Sequence, residues 1–274
     1  MIIYWKTLEK AADDPANIPD YMASPYFVRG LDISPITWDG WLEAKETWTY
    51  ASADDPTFTF TIADFNATTK YQPGMRIKLT NVSVKYFIIT KVVFDDPGST
   101  ITVYGGTDYA LVDDDITLPF YSRQKAPFGF PLDPDKWSIE TTSGTSASSN
   151  GIAANIWTNV GTKTIDIPIG LWNTNYAVSG QSVSTGSQST ITIRATLSTT
   201  NNGETDDTWT SGALGAVESA YTGIRATGWL TKKNIIDLST KDTFYLNIAA
   251  NRASNLTINN TYGDLSIKAV CAYL

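Results

Sequence analysis

The 274-residue sequence contains no histidine. That absence removes the commonest general base, the commonest metal ligand and the usual near-neutral pH switch together. A Ser-His-Asp triad cannot be assembled from it. Cys271 is the single cysteine, which excludes an internal disulfide framework and a thiolate metal site. Its apolar neighbourhood predicts a buried, inert thiol. Charge is sparse as well: Asp, Glu, Lys and Arg make up 18% of the chain, against about 25% in an average soluble protein. The net charge is −8 and Lys and Arg form no cluster. A nucleic-acid partner is therefore not expected, nor is an anionic membrane surface. No run reaches the roughly 18 apolar residues of a membrane span. The opening Met1-Ile2-Ile3-Tyr4-Trp5-Lys6 lacks the basic and apolar regions of a secretory signal, so synthesis in a cytoplasm is expected. There is no Walker-type loop, no Gly-x-Ser-x-Gly elbow and no Gly-x-Gly-x-x-Gly turn opening a helix. No repeat of about 20–50 residues is visible.

What the chain does have is alternation. Hydrophobic residues make up 42% of it, and Thr, Ser and Asn fill the space that charge leaves. Such residues favour strands over surface helices. Thr57–Ile62 places Phe58, Phe60 and Ile62 on one face and three threonines on the other, the period-two pattern of a half-buried strand. Arg76–Thr80, Val84–Phe94 and Thr100–Tyr104 read as further strands. Gln72-Pro73-Gly74-Met75, Asp95-Asp96-Pro97-Gly98 and Gly105-Gly106 read as turns. Only Thr37–Lys45 suits a short helix within this region. Beyond residue 152, Thr164–Ile167, Ile191–Leu197, Phe244–Ile248 and Leu265–Tyr273 alternate again. Ile191, Ile193, Ala195 and Leu197 are assigned to the inner face.

Two segments divide these regions. Residues 126–138 contain Pro127, Pro131 and Pro134 interleaved with Phe128, Phe130, Leu132 and Trp137. Proline fixes φ and removes a donor, so this is neither helix nor central strand. Its apolar content predicts a stiff connector clamped onto a neighbouring surface. Residues 139–151 are Ser-, Thr- and Gly-rich and read as a flexible joint. The expected organisation is an aromatic-rich anchoring strap over 1–27, a β-domain over 28–138, the joint, and a second β-domain over 152–274. The fold class is all-β: a small antiparallel barrel or sandwich followed by a jelly-roll-like double-sheet sandwich.

Five blocks carry a resemblance: the segments beginning at Tyr50, Tyr71, Tyr86, Val103 and Ala126, the last reading Ala-Pro-Phe-Gly-Phe-Pro-Leu-Asp-Pro-Asp-Lys-Trp. In order and spacing they resemble a module in structural proteins of tailed bacteriophages and prophages, over about residues 45–138. The C-terminal half is similar to a domain often attached to that module, in Ala195–Glu204, Phe244–Ile248 and Lys268–Leu274. The resemblance implies a virion component of tail, fibre or head-attached type, usually a homotrimer, bound to other virion proteins and exposed on the particle. Residues 1–27 match no pattern of that family, as expected of a segment that varies with its docking site.

Candidate chemistry is limited. Asp13-Asp14-Pro15, Asp54-Asp55-Pro56, Asp95-Asp96-Pro97 and the run Asp113-Asp114-Asp115 could hold Ca²⁺ or supply a glycosidase pair. Asp before Pro is first of all a turn signal, and no EF-hand-type loop is present. No metal, cofactor or catalytic residue is assigned. Aromatics are the remaining handle, with nine Trp and 14 Tyr. Trp209 and Tyr221 sit in polar, loop-like surroundings, where binding residues concentrate, and are the candidates for a host-surface glycan site at the distal end. Tyr4, Trp5 and Tyr21 are the candidates for the virion anchor. The expected function is a non-enzymatic virion protein, attached through its N-terminal half and displaying the C-terminal sandwich. A capsid- or neck-attached head fibre or decoration protein is the alternative, and a cell-surface polysaccharide depolymerase is a third.

Overall fold

The computed structural model describes residues 39–184, 190–215, 224–258 and 264–274. Among them, every element longer than a single 3-10 turn is a β-strand. The first unit contains β1 (Leu42–Glu43), β2 (Thr49–Asp54), β3 (Thr57–Ile62), β4 (Arg76–Asn81), β5 (Ser83–Asp95), β6 (Gly98–Tyr104) and β7 (Thr117–Ser122). They pair antiparallel in the order β1-β7-β4-β5-β6-β3-β2. The end strands β1 and β2 do not pair with each other, so the sheet stays open and the barrel alternative is not formed. Leu42 and Glu43, expected in a short helix, pair with Tyr121 and Phe120 instead. A ready partner edge on β7 outweighs the local helical pattern.

Alternation sorts the two faces of this sheet. Phe58, Phe60, Ile62, Ile77, Leu79, Phe87, Ile89, Ile101 and Val103 form one core with Trp48 and Tyr71. Ile88 and Tyr104, one residue out of phase, join a second core. The second face is therefore also covered, which period two permits only when another layer packs on it.

That layer comes from ten further strands: β8 (Ser138–Ser143), β9 (Ala147–Ile152), β10 (Thr164–Ile167), β11 (Gly170–Ser184), β12 (Ile191–Ser198), β13 (Ser211–Gly215), β14 (Ile224–Leu238), β15 (Asp242–Ala250), β16 (Ser254–Ile258) and β17 (Leu265–Cys271). One sheet runs β10-β15-β12-β13. The other is built on β11. Its whole length pairs with β14 along one edge, and β17 and then β16 share the opposite edge. The two sheets enclose Tyr176 and Val178 from β11 and Ile191, Ile193, Ala195 and Leu197 from β12. The inner face assigned from alternation is thus the buried one. Gly180 lets the sheets approach: a Cβ there would lie 2.9 Å from Ile193 Cδ1.

The joint expected at 139–151 is instead two strands, with β8 paired to β17 and β9 to β16. Its hydroxyl side chains concealed a half-exposed alternation. The Ser148 and Thr257 hydroxyls meet at 2.9 Å across the ladder, the kind of cross-strand pair that stabilises a wet sheet edge. The proline-rich connector is clamped through Phe130 and Trp137, whose rings stack at 5.0 Å and 5°. Phe128 and Leu132 stay exposed. Proline lacks a donor but keeps its carbonyl, and Trp137 Nε1 donates to Pro131 O at 2.7 Å. Trp41 Nε1 likewise donates to Phe128 O at 2.8 Å. Tyr104 of the first unit meets Trp172 of the second edge-on at 5.0 Å. Such aromatic pairs contribute about 0.5–1.5 kcal/mol beyond burial, and they join the two units in one core.

Candidate functional site

Of the aromatic candidates, Trp209 alone lies among the described residues. Trp209 is buried, with 6% of its surface exposed. Asp206 caps the 3-10 turn Asp207–Trp209, accepting Thr208 N–H at 2.8 Å. The polar sequence around Trp209 is the outer side of this turn, while the ring belongs to the sandwich core. The Tyr176 hydroxyl lies 2.8 Å from Trp209 O and 2.8 Å from Ala195 O. Burial pushes that phenol up to about 12. Trp209 is therefore a core residue, and its ring is not available as a stacking surface. Tyr221, Tyr4, Trp5 and Tyr21 lie outside the described residues.

Asp13-Asp14-Pro15 lies outside the described residues, and the other acidic runs occupy strand ends and the connections between strands. Asp54 ends β2 and accepts an ion pair from Lys241 at 2.8 Å. Asp95 and Asp96 lie at the β5–β6 turn. Asp114 and Asp115 belong to a loop held by Asn81. No group of three or more metal-ligating side chains occurs among the described residues. No helix among them is long and apolar enough to cross a membrane.

A concave site does form where the two units meet. It is a cleft of about 510 Å³ between the turn before β4, the segment after β7 and the residues after β17. Lys70, Gly74, Arg123, Lys125 and Tyr273 line it, together with small and polar neighbours. Arg76 draws the three walls together. Its Nη1 donates to Gly74 O at 2.6 Å, its Nη2 to Tyr273 O at 2.9 Å and its Nε to Lys125 O at 3.0 Å. Its guanidinium also lies 5.0 Å from the Phe130 ring centroid. Arg76 is fully buried and makes no ion pair among the described residues. Burial accordingly lowers its pKa.

Glycine is required in the first wall. Gly74 has φ +90°, and a Cβ there would come within 3.1 Å of the Tyr273 ring. The ring can thus lie directly on the turn. The basic side chains differ in how far they are compensated. Lys70 holds Glu46 at 2.8 and 3.0 Å, and Glu46 also accepts the Tyr71 hydroxyl at 2.8 Å. Burial opposes the Glu46 carboxylate, yet the bonds from Lys70 and Tyr71 outweigh it and hold its pKa below the ordinary value. Lys125 Nζ donates to Leu274 O at 3.0 Å. Arg123 is exposed and makes no ion pair among the described residues. No carboxylate side chain lines the cleft. A chain of net charge −8 thus gathers positive charge at this concavity.

At the far end of the first sheet lies an apolar surface. Val82 sits at the tip of the β4–β5 hairpin with 76% of its surface exposed, and Leu118 at the start of β7 with 67%. Val84 and Val112 are exposed beside them. Register brings them together, because Thr80 of β4 pairs with Val84 on one side and Thr117 on the other. The fully buried Asn81 ties in the neighbouring loop. Its Nδ2 donates to Val112 O and Asp114 O at 3.2 and 3.1 Å, and its Oδ1 accepts Val112 N–H at 3.0 Å. Val82 and Leu118 take φ +65° and +47°. A bulky residue there is an outlier that the surrounding structure must hold in place.

Sequence reading did not find these features. The pair Arg123 and Lys125 in an acidic chain was one available signal. The burial of Arg76 was not readable, because its strand face is covered by the other unit.

No family model matches the chain, and no curated protein matches it. Among solved structures it is similar to dimeric latent PorU from Porphyromonas gingivalis, at 7% identity and a TM-score of 0.30, over 84% of this chain and 24% of that one. It is also similar to the infectious bursal disease virus VP2 subviral particle, at 9% identity and a TM-score of 0.25, over 82% of this chain and 62% of that one. The structure of the Gx strain of that virus gives 10% identity and a TM-score of 0.24, over 82% and 59%. The chain therefore spans about a quarter of the PorU chain and about three-fifths of the two viral chains.

Proposed function

We propose that this protein is a non-enzymatic structural component of a phage virion, of tail or fibre type. It is held to the particle through its first unit, assembles as a homotrimer, and displays its sandwich toward host-surface saccharides. The observation that carries the reading is the exposed apolar end formed by Val82, Val84, Val112 and Leu118. Grouped exposed apolar side chains are one mark of a protein-interaction surface. The likeness of five segments to phage structural proteins supplies the kind of partner. An all-β protein without disulfides also suits a part made in a reducing cytosol and used outside it.

The test is particle incorporation. Val82→Asp and Leu118→Asp replace exposed side chains, so the melting temperature should be kept. The double variant should be lost from purified particles, by immunogold labelling, while the wild-type chain is retained. Normal incorporation of the variant sinks the reading, and label on the head in place of the tail sinks its tail-fibre form.

A further inference from the structure

We infer that the cleft between the two units is a binding site for an acidic saccharide, a sugar bearing a carboxylate or phosphate group. Three independent features support this. The first is Arg123, which faces solvent at the rim with no ion pair among the described residues and has a guanidinium fork matched to an oxyanion. Second, the buried Arg76 spends its bonds on three carbonyls, so its charge has no side-chain counter-ion. That charge lies directly behind three lining residues, Gly74, Lys125 and Tyr273, and adds to the positive potential an anion would meet there. Third, the Tyr273 ring lies on the Gly74 turn as one wall. An aromatic wall beside cations is the arrangement that accepts the C–H face of a sugar ring while its charged group is paired.

The size fits. The volume of about 510 Å³ falls within the roughly 300–1,000 Å³ of small-ligand sites. Lys125 lines the cleft beside Arg123 with its Nζ on Leu274 O at 3.0 Å, and Lys70, already paired with Glu46, contributes little net charge. The inference shares only its ligand class, a saccharide, with the proposed function. It is tested on the purified full-length chain without particles, so either can fail alone.

Calorimetric titration would use three probes: trigalacturonate for the carboxylate source, glucose 6-phosphate for the phosphate source, and neutral maltotriose. Wild-type protein should bind at least one of the acidic probes with a Kd below about 1 mM, and added salt should weaken that binding. Maltotriose should not bind. Arg123→Ala with Lys125→Ala should weaken binding tenfold or more at an unchanged melting temperature. If that variant does not fold, Arg123→Gln alone should give a smaller loss in the same direction. Failure of both acidic probes, equal binding of maltotriose, or variants that bind like wild type would each overturn the site.

Discussion

Replacing Arg76 by Met removes the side chain that joins three backbone segments, and its effect can be worked out in advance. Exchanging a buried charge for an apolar group is often neutral when its partners are replaced with it. Here the partners are the carbonyls of Gly74, Lys125 and Tyr273, and they remain. Each unpartnered carbonyl costs about 1–3 kcal/mol. Relief of the desolvated guanidinium offsets part of that sum, leaving a loss of about 3 kcal/mol. The loss should fall on the contact between the C-terminal residues and the first unit. Cys271 offers a probe there. It is the single cysteine, is buried, and has its thiol pushed up to about 11 by that burial. Its N–H donates to Trp137 O at 3.0 Å. If opening of this region is local, about 3 kcal/mol corresponds to a roughly 100-fold faster reaction of the thiol with a disulfide reagent. The denaturation midpoint should fall as well. A variant with wild-type labelling and an unchanged midpoint would refute the claim that Arg76 holds the walls together.

Two further outcomes are expected from the same structure. Ile193→Ala empties a fully buried position against Gly180 and should cost about 2–5 kcal/mol in a denaturant melt; a neutral result would mean that the sandwich faces are misassigned. Glu46→Gln should cost about 1–3 kcal/mol at pH 7, where the carboxylate accepts from Lys70 and Tyr71. Because the folded pKa of Glu46 lies below its ordinary 4.5, that advantage is complete above pH 4.5 and is lost as pH falls through the folded value. Melts should therefore show a smaller gap at pH 3 than at pH 7, and an equal gap at both would contradict the assignment.

Several strands were legible where one face is apolar and the other polar. Thr57–Ile62 and Thr164–Ile167 were read with the boundaries the structure gives, because alternation alone fixes which side is buried. β8 and β9 were not legible, since Ser, Thr and Gly on both faces leave no hydrophobic period to detect. Trp209 misled for a related reason: four polar neighbours describe the rim of a turn and say nothing about the direction of the ring. The cleft was beyond reach because it is tertiary. Arg76, Arg123 and Tyr273 are far apart in sequence, and meet only after β17 has docked beside the first unit. Its clue, a local excess of cations in an acidic chain, is two residues long.

The shared aromatic core constrains how such a chain can be recombined. A cut after residue 137 would separate Tyr104 from Trp172, although Tyr104 would keep Trp137. Each fragment would expose apolar surface that the intact chain buries in the shared core. A chimera that joins a foreign second unit to the first must supply an aromatic surface to match Tyr104.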